Sequence, residues 1–171
     1  MVTWPILQST FIDDPIEHWD ALQAHGLDCP FEVFSQLFHE HVGTEAVPAL
    51  TAGLDWTQVK WSEAALSGEE LRQAHIDRHF ERAVDEAAAA TVAAGLTDAR
   101  ASVVEAWRRQ RTWIVPPILV AGAVIGNPCR YALLVGNTRL GNLFGLLERG
   151  EVAGSRRHRV WIGRLLEPPA T

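Results

Sequence analysis

The residues best suited to chemistry are Gly136-Asn137-Thr138-Arg139, which follow the apolar run Tyr131-Ala132-Leu133-Leu134-Val135 and precede Leu140-Gly141. An apolar strand, a glycine turn and a helix opening on a small polar residue and an arginine aim backbone N–H groups and a guanidinium at one spot. Such a spot holds phosphate or another anion, because the first N–H groups of a helix lack intrahelical partners and the guanidinium keeps its charge. The tetrad also has a plainer reading, in which Gly136 only turns the chain, Thr138 caps the helix and Arg139 meets a nearby carboxylate. Arg157 and Arg159, within Arg156-Arg157-His158-Arg159, either extend the anion site or belong to a solvated turn. Arg108-Arg109-Gln110-Arg111 invites the same two readings.

Around these residues the chain lays out a small set of elements. Asp14-Pro15 starts a capped helix that ends near Gly26. A second helix is predicted over residues 30–41, with Phe31, Phe34, Leu37 and Phe38 as its apolar stripe. A looser stretch follows through Pro48 and Gly53, then a short strand over residues 57–61. Ser67-Gly68-Glu69-Glu70 is a capping box, predicted to open the longest helix and run to about Ala94 with Gly95 as its stop. Thr97-Asp98 opens another helix, with Val103, Val104 and Trp107 facing inward. Pro116-Pro117-Ile118-Leu119-Val120 begins a strand, Gly126-Asn127-Pro128 turns it into a hairpin with residues 130–135, and a helix spans 138–148. Residues 157–163 make the last strand, with Val160 and Ile162 on one face. Gly141 and Gly145, four apart on their helix, are expected to allow close packing against the sheet. The fold class is therefore α+β, a small mixed sheet with packed helices preceded by a helical N-terminal segment.

Composition narrows the functional classes. Of 171 residues 47% are apolar, enough for a substantial core, and no apolar run reaches the roughly 18 residues that cross a membrane. The first residues lack the basic and apolar blocks of a secretory signal, and two cysteines, Cys29 and Cys129, make no disulfide framework. A cytoplasmic location is the expectation. Residues 1–99 carry four Lys/Arg and 17 Asp/Glu, a balance of −13; residues 100–171 carry 11 Arg and four Glu, a balance of +7, and together these give −6. Either the two halves complement each other internally, or the basic half faces an anionic ligand. The overall acidity argues against an avid nonspecific DNA binder.

Other residue groups admit bland explanations. His39-Glu40-His41 and His75-Ile76-Asp77-Arg78-His79 have metal-like spacing, the second pair one helical turn apart, yet no third ligand is evident and no metal site is expected. Trp107, Trp113 and Trp161 fall where they pack on the sheet, whereas Trp56 and Trp61 flank the first strand and are placed to line a pocket for a base or ribose. Glu63, Glu69 and Glu70 follow that strand as solvated carboxylates or helix caps.

The order of strand, long helices, Pro-Pro-Ile strand, hairpin, strand ending in Gly-x-x-Arg, helix and strand resembles the ParB/sulfiredoxin-like superfamily. The resemblance covers roughly residues 57–165 and rests on Pro116-Pro117-Ile118-Leu119-Val120, Tyr131 to Val135, Gly136-Asn137-Thr138-Arg139 and Val160-Trp161-Ile162. It divides the chain into a helical N-terminal extension, residues 1–56, and a ParB/sulfiredoxin-like domain, residues 57–171. ParB-like members carry Gly-Glu-Arg-Arg at the turn and sulfiredoxins Gly-Cys-His-Arg, and both bind nucleotide phosphates there. By position, Gly136 is then the turn glycine and Arg139 the phosphate-binding arginine. Asn137 stands where those families have glutamate or cysteine, and Thr138 where they have arginine or histidine. A neutral amide serves as neither base nor nucleophile, so binding has more support than catalysis. The resemblance further implies a nucleotide, with Mg²⁺, as ligand, and makes Glu63 a candidate base for weak hydrolase or phosphotransferase activity.

Three functional readings follow. The first is a nucleotide- or phosphate-binding domain with Gly136, Asn137, Thr138 and Arg139 as the ligand site. The second is a non-catalytic protein-interaction module that retains the fold and docks a partner through its acidic N-terminal half. A nucleic-acid-binding or nuclease-like module ranks third, because no carboxylate cluster for Mg²⁺ is visible.

Overall fold

The computed structural model describes residues 1–96 and 101–166, and among these described residues eight α-helices and four strands build the molecule. The strands are β1 (Val59–Ser67), β2 (Ile118–Ala121), β3 (Tyr131–Val135) and β4 (Arg157–Leu165), ordered β1-β4-β2-β3 in one mixed sheet. β4 runs antiparallel to β1 and parallel to β2, and β3 returns antiparallel to β2. One row of the register crosses the whole sheet: Glu63 faces Trp161, Trp161 faces Ile118, and Ile118 faces Val135.

Each face of the sheet is covered by a different set of helices. The N-terminal layer comprises α1 (Trp4–Ser9), α2 (Pro15–Ala24), α3 (Phe31–Val33) with the π-helical turn Phe34–His39 that continues it, and α4 (Ala46–Leu50). Its Trp4, Leu22, Phe34, Leu37 and Phe38 share one core with Val59, Trp61, Ile118, Val120, Ala132 and Leu134. On the other face lie α6 (Arg78–Ala94), α7 (Ala101–Gln110) and α8 (Asn137–Glu148), which pack on Leu66, Leu119, Leu133, Val160 and Ile162. Alternation of side chains along β1 and β4 sends successive residues to the two cores. β3, covered on both sides, is buried at all five positions.

Several local signals fold as expected. Asp14 caps α2 by accepting from the N–H groups of Ile16 and Glu17, at 2.8 and 3.0 Å. Ser67 and Glu70 form the reciprocal capping box. Gly95 ends α6 at φ 78°, a left-handed value that suits glycine.

Tertiary packing altered the rest. The predicted long helix is two: α5 (Gly68–Arg72) stops after five residues, and α6 restarts behind a new cap, Asp77, whose carboxylate accepts from the N–H of His79. The break exists because His75 bonds to the outer edge of β3, donating to the Tyr131 carbonyl and accepting from the Leu133 N–H. A helix through residue 75 would forfeit both bonds. His75 and His79 therefore do not share a helix face, and His79 instead pairs with Asp77.

The first strand is longer and later than expected. Residues 56–58 form a 3₁₀ turn and β1 runs to Ser67, so Glu63 lies within the strand. The stretch expected to be loose contains α4. Trp56 and Trp61 stack at 6.2 Å and both belong to the buried core. The helix start expected at Thr97-Asp98 lies outside the described residues.

Gly141 and Gly145 face α6 rather than the sheet. A Cβ on Gly141 would stand 2.4 Å from the Val84 carbonyl oxygen, and one on Gly145 would stand 2.6 Å from Thr91 Cβ. Two bare backbones let the helices approach, and Thr91 Oγ1 reaches Asn142 Oδ1 at 3.0 Å inside the contact.

The acidic front and basic back meet across this architecture. Arg159 lies 3.6 Å from Glu32 and 3.5 Å from Glu63, and Arg130 lies 3.3 Å from Glu70. Part of the charge asymmetry is thus internal complementarity. Each pair is partly exposed and contributes at most about 1 kcal/mol.

Candidate anion-binding site

β3 ends at Val135, and the chain turns into α8 through Gly136 at φ 109°. Only glycine suits this position on two counts. Its φ is strained for any side chain, and a Cβ there would lie 2.7 Å from Pro117 Cβ. Gly136, not Thr138, occupies the N-cap, and no side chain caps the helix. The opening N–H groups of α8 therefore keep their electropositive character. Thr138 is exposed, while Asn137 and Arg139 are half-buried. The Asn137 Oδ1 is enclosed and has no hydrogen-bond partner among the described residues.

Arg139 does more than border the turn. Its Nη1 donates to Gln36 Oε1 at 2.7 Å and lies within hydrogen-bond distance of the Val115 and Pro116 carbonyl oxygens, at 2.9 and 3.1 Å. Gln36 belongs to the π-helical turn of the N-terminal layer and is itself buried. The guanidinium thus ties that layer to the segment entering β2, around the end of the sheet. Beside it opens a groove of about 400 Å³ bordered by Glu40, Ser102, Ile114 and Val115.

This arrangement gives a direct expectation for stability. Arg139→Leu leaves the buried Gln36 acceptor unsatisfied and removes a charge-assisted bond, so it should destabilise the fold by about 2 kcal/mol. Urea denaturation reads this. An unchanged midpoint would mean that Arg139 has no structural part.

The other candidate residues are placed apart from the turn. Glu63 sits three strands away from Val135 in the shared row, roughly 14 Å at about 4.8 Å per strand. It pairs there with Arg159. Arg159 also approaches Glu32, whose other oxygen accepts from the Trp161 indole N–H at 2.9 Å. Arg157 donates to the Ala65 carbonyl at 2.7 Å. In the other arginine cluster, Arg109 pairs with Glu105 on its own helix.

The histidines have local roles. His18 is fully buried with its Nδ1 3.2 Å from His39 Nδ1, and burial followed by His39 lowers its pKa below the usual imidazole value. Among the described residues no three His, Cys, Asp or Glu side chains gather as a metal site, and no helix is long and apolar enough to cross a membrane.

Sequence reasoning missed Gln36. Its link to Arg139 spans 103 residues, and nothing in the sequence around either residue signals it.

Fold and turn together define an α+β domain with a mixed four-stranded sheet and a glycine strand-to-helix turn at the end of its β3 strand. The chain matches no protein-family model, and neither a curated protein nor a solved structure matches it.

Proposed function

We propose that the chain is a ParB/sulfiredoxin-like module that binds a phosphate-bearing ligand of the nucleotide class at the turn of Gly136, Asn137 and Thr138, without turning it over. The observation that carries this reading is the start of α8, a twelve-residue helix that opens on a left-handed glycine with no side-chain cap and an exposed Thr138. N–H groups that no side chain caps and the helix dipole favour an anion there. The groove beside Arg139 offers adjoining room for the rest of a ligand. Asn137 replaces the reactive groups of the related turns, which supports binding over catalysis. The contacts of Arg139 shift the anion's hold toward backbone amides and the Thr138 hydroxyl.

Thr138→Asp tests the site without touching Arg139. A carboxylate in the first turn stabilises a helix by about 0.3–1 kcal/mol, yet it repels an anion. The free variant should therefore melt slightly higher than the wild type. It should also lose any thermal shift produced by ATP, ADP, CTP or GTP at millimolar concentration, with or without Mg²⁺. No shift by any of these in the wild-type protein would sink the proposal. Nucleotide turnover abolished by Asn137→Ala would instead make the site catalytic.

A second reading, the non-catalytic interaction module, is favoured by one observation. The arginine expected to clasp phosphate holds Gln36 and two backbone carbonyls. A wild-type protein indifferent to every nucleotide would support it.

A further inference from the structure

Two exposed patches of opposite charge, each with apolar side chains beside the charges, lie on different parts of the surface. The first is on the outside of the N-terminal layer. Ile16 is 59% exposed and Phe31 38% exposed, and the Phe31 ring meets Trp19 edge-on at 5.3 Å. Ile16 and Trp19 are three residues apart on α2 and so adjacent on its surface. Exposed Glu17, Asp20 and Asp28 flank them, and none of the three takes part in an ion pair among the described residues. Residues 1–59 contain nine Asp/Glu and no Lys or Arg, so nothing in this layer's own sequence offsets that charge.

The second patch sits where β1 begins and β4 ends. Lys60 and Arg164 face each other across the strand pair, and with Ser62, Leu165 and Leu166 they line a groove of about 350 Å³. Leu165 and Leu166 are 42% and 48% exposed. Two like charges opposite one another in a sheet are unfavourable unless an anion comes between them. The N-terminal layer bonds to β4 through Glu32, at Arg159 and Trp161, while this groove lies beyond, at Arg164 to Leu166.

We propose that the chain associates head to tail with a second copy of itself, the Ile16, Trp19 and Phe31 face of one copy seated on the Lys60, Arg164 and Leu166 groove of the next. The partner is a second copy because one chain carries both complements: acid with exposed apolar side chains on one patch, base with exposed leucines on the other. The two patches differ, so the contact is heterologous and leaves a free patch at each end, which lets assembly continue beyond a dimer. Opposite charges at the contact make it weaken with salt. The inference is independent of the ligand at the Gly136 turn, which neither patch includes.

Sedimentation velocity of the full chain from 10 µM to 1 mM tests it, in low salt and at 0.5 M NaCl. The wild type should show mass rising with concentration beyond the dimer, reduced at least tenfold in association constant by the salt. Glu17→Arg/Asp20→Arg destroys one patch by reversing its charge and Lys60→Ser/Arg164→Ser the other by removing its charge, so each variant alone should stay monomeric and the two altered patches do not attract each other. An equimolar mixture of the two should give a dimer and nothing larger, because only one intact pair of patches remains. These are exposed positions, and circular dichroism verifies that both variants fold. A wild type that is monomeric at 1 mM overturns the proposal, as does association unchanged in either variant. A mixture that stays monomeric while the wild type associates also overturns it, since association would then run through other surfaces.

Discussion

Gly141→Ala should destabilise the protein by about 2–3 kcal/mol, although alanine is the better helix former. On an exposed helix face the change would be favourable by up to about 1 kcal/mol. Here the new methyl would fall 2.4 Å from the Val84 carbonyl oxygen and 2.7 Å from Ala87 Cβ. Backbone and a short side chain cannot swing aside, so α6 and α8 must separate, and overpacking of this kind costs about 1–3 kcal/mol or more. Gly145→Ala meets Thr91 Cβ at 2.6 Å and the Ala88 carbonyl oxygen at 2.7 Å, with the same result. Separation would also stretch the buried Thr91–Asn142 hydrogen bond. Because the two positions strain one helix contact, the double variant should lose less than the sum of the singles. A loss of about 4 kcal/mol is still a large part of a typical 5–15 kcal/mol stability. Gly43→Ala is the control: nothing lies within 4 Å of its added Cβ, so it should be neutral or slightly stabilising. Urea denaturation measures all four proteins, and a stabilised Gly141→Ala would show that the helices are not held by this contact.

Acidification should weaken the fold well before its carboxylates titrate. His158 is 1% exposed on β4, its ring 5.1 Å from that of Trp113 and 6.0 Å from that of Trp107. Its Nδ1 meets Thr112 Oγ1 at 3.1 Å, while its Nε2 is buried without a partner among the described residues. Burial first, and the Arg156 charge second, push its pKa down from 6.5 to about 4. The folded state therefore holds a neutral imidazole where the unfolded chain binds a proton. Stability from this group is complete above pH 6.5 and falls as the pH drops through the window to 4, by about 3 kcal/mol in all. Asp55, Glu70 and Asp77 have pKa values lowered by local hydrogen bonds, so their contributions fade only below the ordinary carboxylate range. His158→Phe should flatten the stability profile between pH 6.5 and 4, leaving the smaller slope of His18 and His41, whose pKa values burial also lowers. Denaturant midpoints at pH 7 and pH 4 read the effect. A variant with the wild-type slope would place the acid sensitivity elsewhere.

Much of the fold was legible because its signals act within a few residues. Asp14-Pro15 caps α2, Ser67 and Glu70 close their box, the pair Pro116-Pro117 precedes β2, and Gly136 turns β3 into α8. In each case the partner lies within about four positions, so the stabilising bond can be read from neighbouring letters. The break in the helix predicted through residue 75 was not legible, since His75 leaves helical geometry for bonds with Tyr131 and Leu133, more than fifty residues away. The same holds for Trp56 and Trp61, which alternation alone could as well have placed at a pocket as in the core.

What the sequence by itself determined, then, is the local grammar: the α+β class, the caps of α2 and α5 and a glycine turn with its N–H groups forward. What only the tertiary structure decided is who meets whom. The sheet order β1-β4-β2-β3 sets Glu63 three strands from the turn and brings Gln36 to Arg139 across 103 residues. It also brings α6 against the glycines of α8. Such contacts depend on the whole chain's packing, because the free energy of a long-range pair depends on every element that must close around it.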